Sequence, residues 1–102
     1  GIGGDSHCLS VFPGSPLTSS SAPVAAPVPA PTHIEPHVPR LSFSLGLLLA
    51  ARAVCATVVG AGKSAALARI LNGEGTVSEV PAKAALIPTA TWIIDRAAAA
   101  DL

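Results

Sequence analysis

Eight of the ten prolines in this chain fall between residues 13 and 39. Each removes a backbone donor that a helix interior or a central strand would need. Residues 15–39, rich in Pro, Ser and Ala, are therefore expected to run as an extended surface loop, and regular structure is pushed to residue 40 and beyond. A Pro-rich ligand for a partner domain would show a regular repeat, and the spacing here is irregular. His33 and His37 stand four apart, which on a helix would place both on one face as metal ligands. Pro36 and Pro39 argue against that helix, leaving two solvent-exposed loop histidines.

Ahead of the prolines lies GIGGDSH, residues 1–7. Three glycines allow a tight backbone turn, and Asp5 and His7 would project from it together as a carboxylate and an imidazole. Such a turn is more often a turn and nothing else, so the pair gains meaning only from the rest of the chain. The next run, CLSVF, is apolar enough to pack as a short helical turn or strand before Pro13, Gly14 and Pro16 interrupt it.

From Arg40 the pattern changes. LSFSL alternates Leu41, Phe43 and Leu45 with Ser42 and Ser44, the period of a strand whose leucine and phenylalanine face is buried. GLLLAAR suits a short helix, and AVCATVVG reads as a strand buried on both faces, as in a parallel sheet. Residues 41–62 are also apolar enough to suggest a membrane span. Arg52 near the middle would cost roughly 2.5 to 3.5 kcal/mol at a bilayer centre, and the strand period opposes it too, so strand, helix, strand is the expected order.

In GAGKSAALARIL, Ala66, Leu67, Ile70 and Leu71 share one helical face, and Asn72 with Gly73 makes a natural stop. A strand thus runs through Gly60-Ala61-Gly62 into a helix that begins near Lys63. The free N–H groups there and the Lys63 ammonium would suit a single phosphate group; equally, Gly60 and Gly62 would serve only to permit a tight strand-to-helix turn. A nucleotide P-loop needs a glycine where this chain has Thr57, so ATP binding is not supported. Pro81 and Pro88 bracket a short Ala-rich piece, TWIID reads as a last strand with Trp92 as an anchor, and RAAAADL as a terminal helix. Strands alternating with helices predict an α/β chain with a largely parallel sheet.

The 102 residues are enough for one small domain. Half are hydrophobic but only 3% aromatic, so the core must be built from Ala, Leu, Val and Ile. A formal net charge of +0 excludes bulk attraction to nucleic acid or an anionic membrane surface. Cys8 and Cys55 have no metal-ligand spacing and are read as small buried apolar residues. With no basic and apolar leader at the start, they fit a reducing cytoplasmic setting. There is no Met, and no strand precedes the Gly-rich turn, so a longer parent chain is expected.

Taken together, these motifs resemble the 6-phosphogluconolactonase family, within the wider glucosamine-6-phosphate isomerase/6-phosphogluconolactonase superfamily. Members carry a Gly-x-Gly-x-Asp-Gly-His turn leading into Ser-Leu-Phe-Pro-Gly, matched here by GIGGDSHCLSVFPGSPL. PHVPRLSFSL, LLAARAV, GAGKSAALARIL, VPA and TWIIDRAAAADL follow in the family's order. The matches cover only the C-terminal portion of such an enzyme, so the resemblance implies one partial domain, residues 1–102, of a doubly wound, Rossmann-like sheet whose N-terminal half is missing. Ser6 replaces the glycine between Asp and His, His37 stands where lysine is usual, and Gly46 replaces a proline. A side chain at Ser6 would be expected to crowd the substrate or forbid a positive φ.

The resemblance implies hydrolysis of 6-phospho-D-glucono-1,5-lactone in the pentose phosphate pathway. His7 would be the general base and Asp5 its orienting carboxylate. Gly3, Gly4 and Ser6 would form the active-site turn, while Lys63 and Arg40 would hold the phosphate of the sugar lactone. No metal or organic cofactor is implied, because an activated ester yields to a positioned water. Glucosamine-6-phosphate deaminases share the fold and a related Asp-x-His turn, and form the alternative enzyme reading. A non-catalytic remnant that binds a partner, or nothing, is the alternative outside enzymology.

Overall fold

A computed structural model describes all residues 1–102. Its elements are β1 (Ala25–Val28), β2 (Arg40–Phe43), α1 (Gly46–Ala50), β3 (Val54–Val58), α2 (Ser64–Asn72) and β4 (Ala90–Ile94), with 3-10 turns at Pro16–Thr18, Ala61–Lys63 and Pro81–Ala85. The strands form two separate pairs. β1 and β2 run antiparallel, Ala25 opposite Phe43 and Val28 opposite Arg40. β3 and β4 run parallel, Val54 opposite Ala90 and Val58 opposite Ile94. The parallel pair flanked by α2 is the expected α/β unit, whereas β2 belongs to the other sheet.

The proline-rich stretch is thus not all loop. β1 lies inside it, with Pro27 opposite Leu41. A two-stranded ribbon consists only of edge strands, and an edge strand tolerates a proline whose missing donor would have faced outward. β2 has the predicted period but the opposite phase: Leu41 is 78% and Phe43 50% exposed, while Ser42 and, just past the strand, Ser44 are buried; of the expected apolar set only Leu45, also past the strand, is buried. The Ser42 hydroxyl accepts the Ser10 N–H at 3.0 Å and donates to the Phe43 carbonyl at 2.9 Å. Close approach of the segment after His7 needs a small polar residue on the inner face, and this outweighs the burial of leucine.

β3 alternates as well. Ala56 and Val58 are buried, Cys55 and Thr57 exposed, so the strand buries one face and not two. Cys8 is buried as expected, but Cys55 is not. On α2, Ala66, Leu67 and Ile70 enter the core, whereas Leu71, expected on the same face, is exposed. Residues 41–62 form β2, α1 and β3 as expected, and no helix is long and apolar enough to cross a membrane. Residues 96–101 make turns instead of the expected terminal helix. Only one bond of α-helical spacing forms there, Ala99 N–H to the Asp95 carbonyl, and so short a segment cannot offset the cost of nucleation.

Asp95 ties the parallel unit together. Its carboxylate accepts the Gly60 N–H at 3.0 and 3.1 Å and the Ala98 N–H at 2.8 Å. It thereby fixes the turn after β3 from the end of β4, where Gly60 takes a φ of 96° that only glycine adopts freely. Trp92 anchors as expected, its indole N–H donating to the Ala85 carbonyl at 2.9 Å. The shared core joins Ile2, Val11 and Phe12 to Val58, Leu67, Ile70 and Val80. Each large side chain fully buried there contributes about 1.5 to 3 kcal/mol, and together they lock the N-terminal turn against α2.

Candidate active site

Two backbone bonds close the N-terminal turn, Gly3 N–H to the His7 carbonyl at 2.8 Å and Ser6 N–H to the Gly3 carbonyl at 2.9 Å. A third, Ala82 N–H to the Ser6 carbonyl at 3.0 Å, fastens it to the Pro81–Ala85 turn. Inside the loop, Asp5 Oδ1 accepts the His7 backbone N–H at 3.0 Å and meets His7 Nδ1 at 2.5 Å. Gly3 has to be glycine, since a Cβ there would stand 2.0 Å from His7 Nδ1.

Ser6 does not behave as feared from sequence. It adopts a φ of 69°, and its side chain is fully buried, bonded to the Asp5 carbonyl and absent from the cavity lining. A short polar side chain tolerates this region at a cost of about 1 to 2 kcal/mol. The cavity is left clear.

Partial burial raises the pKa of the Asp5 carboxyl. Bonds from the His7 backbone N–H, the His33 ring and the His7 ring outweigh that effect and hold it below the ordinary value. Asp5 is therefore an ionised acceptor near neutrality. An ionised carboxylate can only accept, so His7 Nδ1 carries the shared proton and a neutral His7 ring keeps a lone pair on Nε2. The ring also packs against buried Phe12, centroids 4.7 Å apart.

A cavity of about 500 Å³ opens beside this turn, and its lining includes Gly3, Gly4, His7, Glu35, Arg40 and Lys63. The expected base and both expected phosphate ligands therefore meet in one place, although they come from the first turn, the start of β2 and the entry to α2. Asp5 stands behind His7 and outside the lining. Arg40 is held by a bond from Nη2 to the Pro36 carbonyl at 2.9 Å and by its guanidinium over the Phe12 ring at 5.5 Å. Its Nε is buried without a partner. Neither Arg40 nor Lys63 is in an ion pair.

Phe12 and Glu35 were not singled out from sequence, and His33 was read there only as a loop histidine with no part in the site. His33 is exposed, as expected, yet its Nε2 meets Asp5 Oδ2 at 2.8 Å. Glu35 brings a carboxylate into the cavity wall. Phe12 carries His7, His33 and Arg40 around one ring. No spacing rule links these positions, since they meet only through the path of the proline-rich loop.

Residues 1–94 match the family described as glucosamine-6-phosphate isomerases/6-phosphogluconolactonase. The chain belongs to this family. Among similar relatives, the 6-phosphogluconolactonase of Homo sapiens is 37% identical over 103 residues, covering 97% of this chain and 38% of that protein. That of Bos taurus is 38% identical with the same coverage, and that of Streptomyces coelicolor 33% identical over all of this chain and 38% of its own length. The solved 6-phosphogluconolactonases of Trypanosoma brucei and Trypanosoma cruzi superpose with TM-scores of 0.80 each, at 23% and 24% identity. They share the fold over 99% of this chain and 40% and 39% of theirs. This family member thus spans about two fifths of the length of its relatives, as their C-terminal portion.

Proposed function

We propose that this chain supplies the base and the phosphate-holding part of a 6-phosphogluconolactonase, which hydrolyses 6-phospho-D-glucono-1,5-lactone to 6-phosphogluconate. The observation that supports this reading best is the single cavity in which the His7 ring, backed by Asp5, faces the same space as Arg40 and Lys63. Water attacks the lactone carbonyl as His7 Nε2 takes its proton, and Asp5 stabilises the imidazolium. The tetrahedral intermediate then expels the ring oxygen, which recovers the proton from His7. Water is thus added across the ester bond and the ring opens to the acid. Arg40 and Lys63 hold the phosphate at a distance from this chemistry. The portion of the relatives that this chain does not cover forms the remaining wall, so the chain alone is expected to turn over little lactone. A sugar-phosphate substrate and two free thiols suit a cytoplasmic setting.

The test joins this chain to the uncovered portion of the human relative and follows lactone hydrolysis by acid release. His7→Ala should lower the rate by roughly two to four orders of magnitude. Lys63→Ala should weaken the phosphorylated lactone far more than unphosphorylated gluconolactone, by about 1.5 to 3 kcal/mol. A rate within about threefold of the parent for His7→Ala would remove His7 from the role, and equal losses on both lactones would remove Lys63.

A further inference from the structure

We infer that His33, a residue of the proline-rich loop, is a positioning residue that holds the Asp5 carboxylate from the side opposite His7. The Asp5 carboxylate bridges the two imidazoles: Oδ1 meets His7 Nδ1 at 2.5 Å and Oδ2 meets His33 Nε2 at 2.8 Å. An ionised carboxylate accepts both bonds, so each ring fixes one oxygen and the plane of the group is set at both ends. The second ring is itself seated, edge-on to Phe12 with centroids 5.5 Å apart and rings at 78°. Phe12 is buried and also packs against the His7 ring, centroids 4.7 Å apart. The loop thereby reaches the reacting turn through a residue 28 positions away.

This role differs from that of a substrate ligand. His33 lies outside the cavity shared by His7, Arg40 and Lys63, so it touches neither lactone nor phosphate and acts only through Asp5. With that bond made, Asp5 cannot swing away from Nδ1, and His7 keeps the tautomer and tilt that leave Nε2 free for water. The imidazoles of His7 and His33 are the titratable side chains acting on Asp5, and both favour its ionised form. His33 is half exposed, with 51% of its side chain open, so water replaces part of what its removal takes away.

The inference rests on the hydrolase reading, and two measurements separate them. In the 102-residue chain, the carboxyl carbon of Asp5 is titrated by NMR in the parent, His33→Ala and His33→Gln. The Asp5 midpoint should rise in His33→Ala and stay near the parent in His33→Gln, whose amide still donates. In the chain joined to the uncovered portion of the human relative, His33→Ala should lower kcat about three- to tenfold. KM for the phosphorylated lactone should stay within about twofold, since no cavity contact is lost, and His33→Gln should restore kcat. An Asp5 midpoint that does not move, or a kcat unchanged by His33→Ala, would overturn the inference. If the unsubstituted joined chain were inactive, the hydrolase reading would fail, and the Asp5 titration would still decide whether His33 holds the carboxylate.

Discussion

Gly3→Ala adds one methyl group at the tightest point of the turn. The new Cβ would lie 2.0 Å from His7 Nδ1, 2.1 Å from His7 Cε1 and 2.8 Å from Asp5 Oδ1. Non-bonded carbon atoms settle about 3.5 to 4.0 Å apart, so the imidazole has to retreat by more than about 1 Å. It cannot retreat into Phe12, whose buried ring centroid is only 4.7 Å away. Two routes remain. The ring can rotate into the cavity and give up its bond to Asp5, a charge-assisted interaction worth about 1.5 to 3 kcal/mol. Alternatively the backbone can shift and lose the Gly3 to His7 and Ser6 to Gly3 bonds, each worth about 0.5 to 1.5 kcal/mol. Either way stability falls by about 1 to 3 kcal/mol, roughly 4 to 8 °C in Tm per kcal/mol at this size. The displaced base costs more, since misplacement near 1 Å reduces rate about a hundredfold. Thermal melts of the chain and lactone hydrolysis in its joined form measure the two effects separately. A variant that stays folded at the assay temperature and retains more than about a third of the parental rate would refute the argument, because no position of the ring then depends on Gly3.

Glu35→Gln removes the one carboxylate from the wall that carries Arg40 and Lys63. It should lower KM for the phosphorylated lactone about two- to fivefold, an effect that fades with added salt and is absent with unphosphorylated gluconolactone. Acid sensitivity should follow Asp5. Its folded pKa lies below the ordinary value, so the native chain binds fewer protons than the unfolded one in that window and stability rises with pH there. This contribution is complete above about pH 4 and lost as pH falls through the folded value. Urea midpoints of Asp5→Asn should therefore fall less on acidification than those of the parent. Part of the fall should remain, because Glu79 is lowered by the Thr76 backbone N–H and hydroxyl and acts in the same direction. Finally, burial pushes the Cys8 thiol up to about 11 while Cys55 is exposed. At pH 8 an aromatic disulfide reagent should titrate one thiol in the native chain and two in urea, and Cys55→Ser should abolish the native reaction.

The geometry of the Asp5–His7 turn was legible because it is local: three glycines, Asp5 and His7 sit within seven residues, and the backbone between them leaves little choice. Lys63 was legible for a related reason, since a glycine-bounded strand followed by the Ala66, Leu67, Ile70 face fixes where α2 begins. Arg40 was placed by the run of motifs around it. What failed was decided at a distance. The period of LSFSL is a property of the strand itself, but its phase depends on what approaches it, and here the Ser10 N–H reaches for the Ser42 hydroxyl. A period of two cannot say which set of side chains faces inward when a polar set has a partner. AVCATVVG shows the same limit from the apolar side. A run rich in β-branched residues permits burial on two faces without requiring it, and only Ala56 and Val58 are covered.

The proline-rich loop carries this reasoning a step further. Prolines exclude α-helix and central strand, and the stretch holds only the 3-10 turn Pro16–Thr18 and one edge strand. The same rule is silent on where an extended chain travels, because extended backbone makes its partners from whatever lies beside it. Here β1 turns the loop back along β2, and the return leg carries His33 to Asp5, Glu35 to the cavity and Pro36 to the guanidinium of Arg40. The segment with the least regular structure thus supplies the contacts that complete the carboxylate and orient one of the two cations. Its composition dictates that it be extended, and the β1–β2 pairing dictates what it touches.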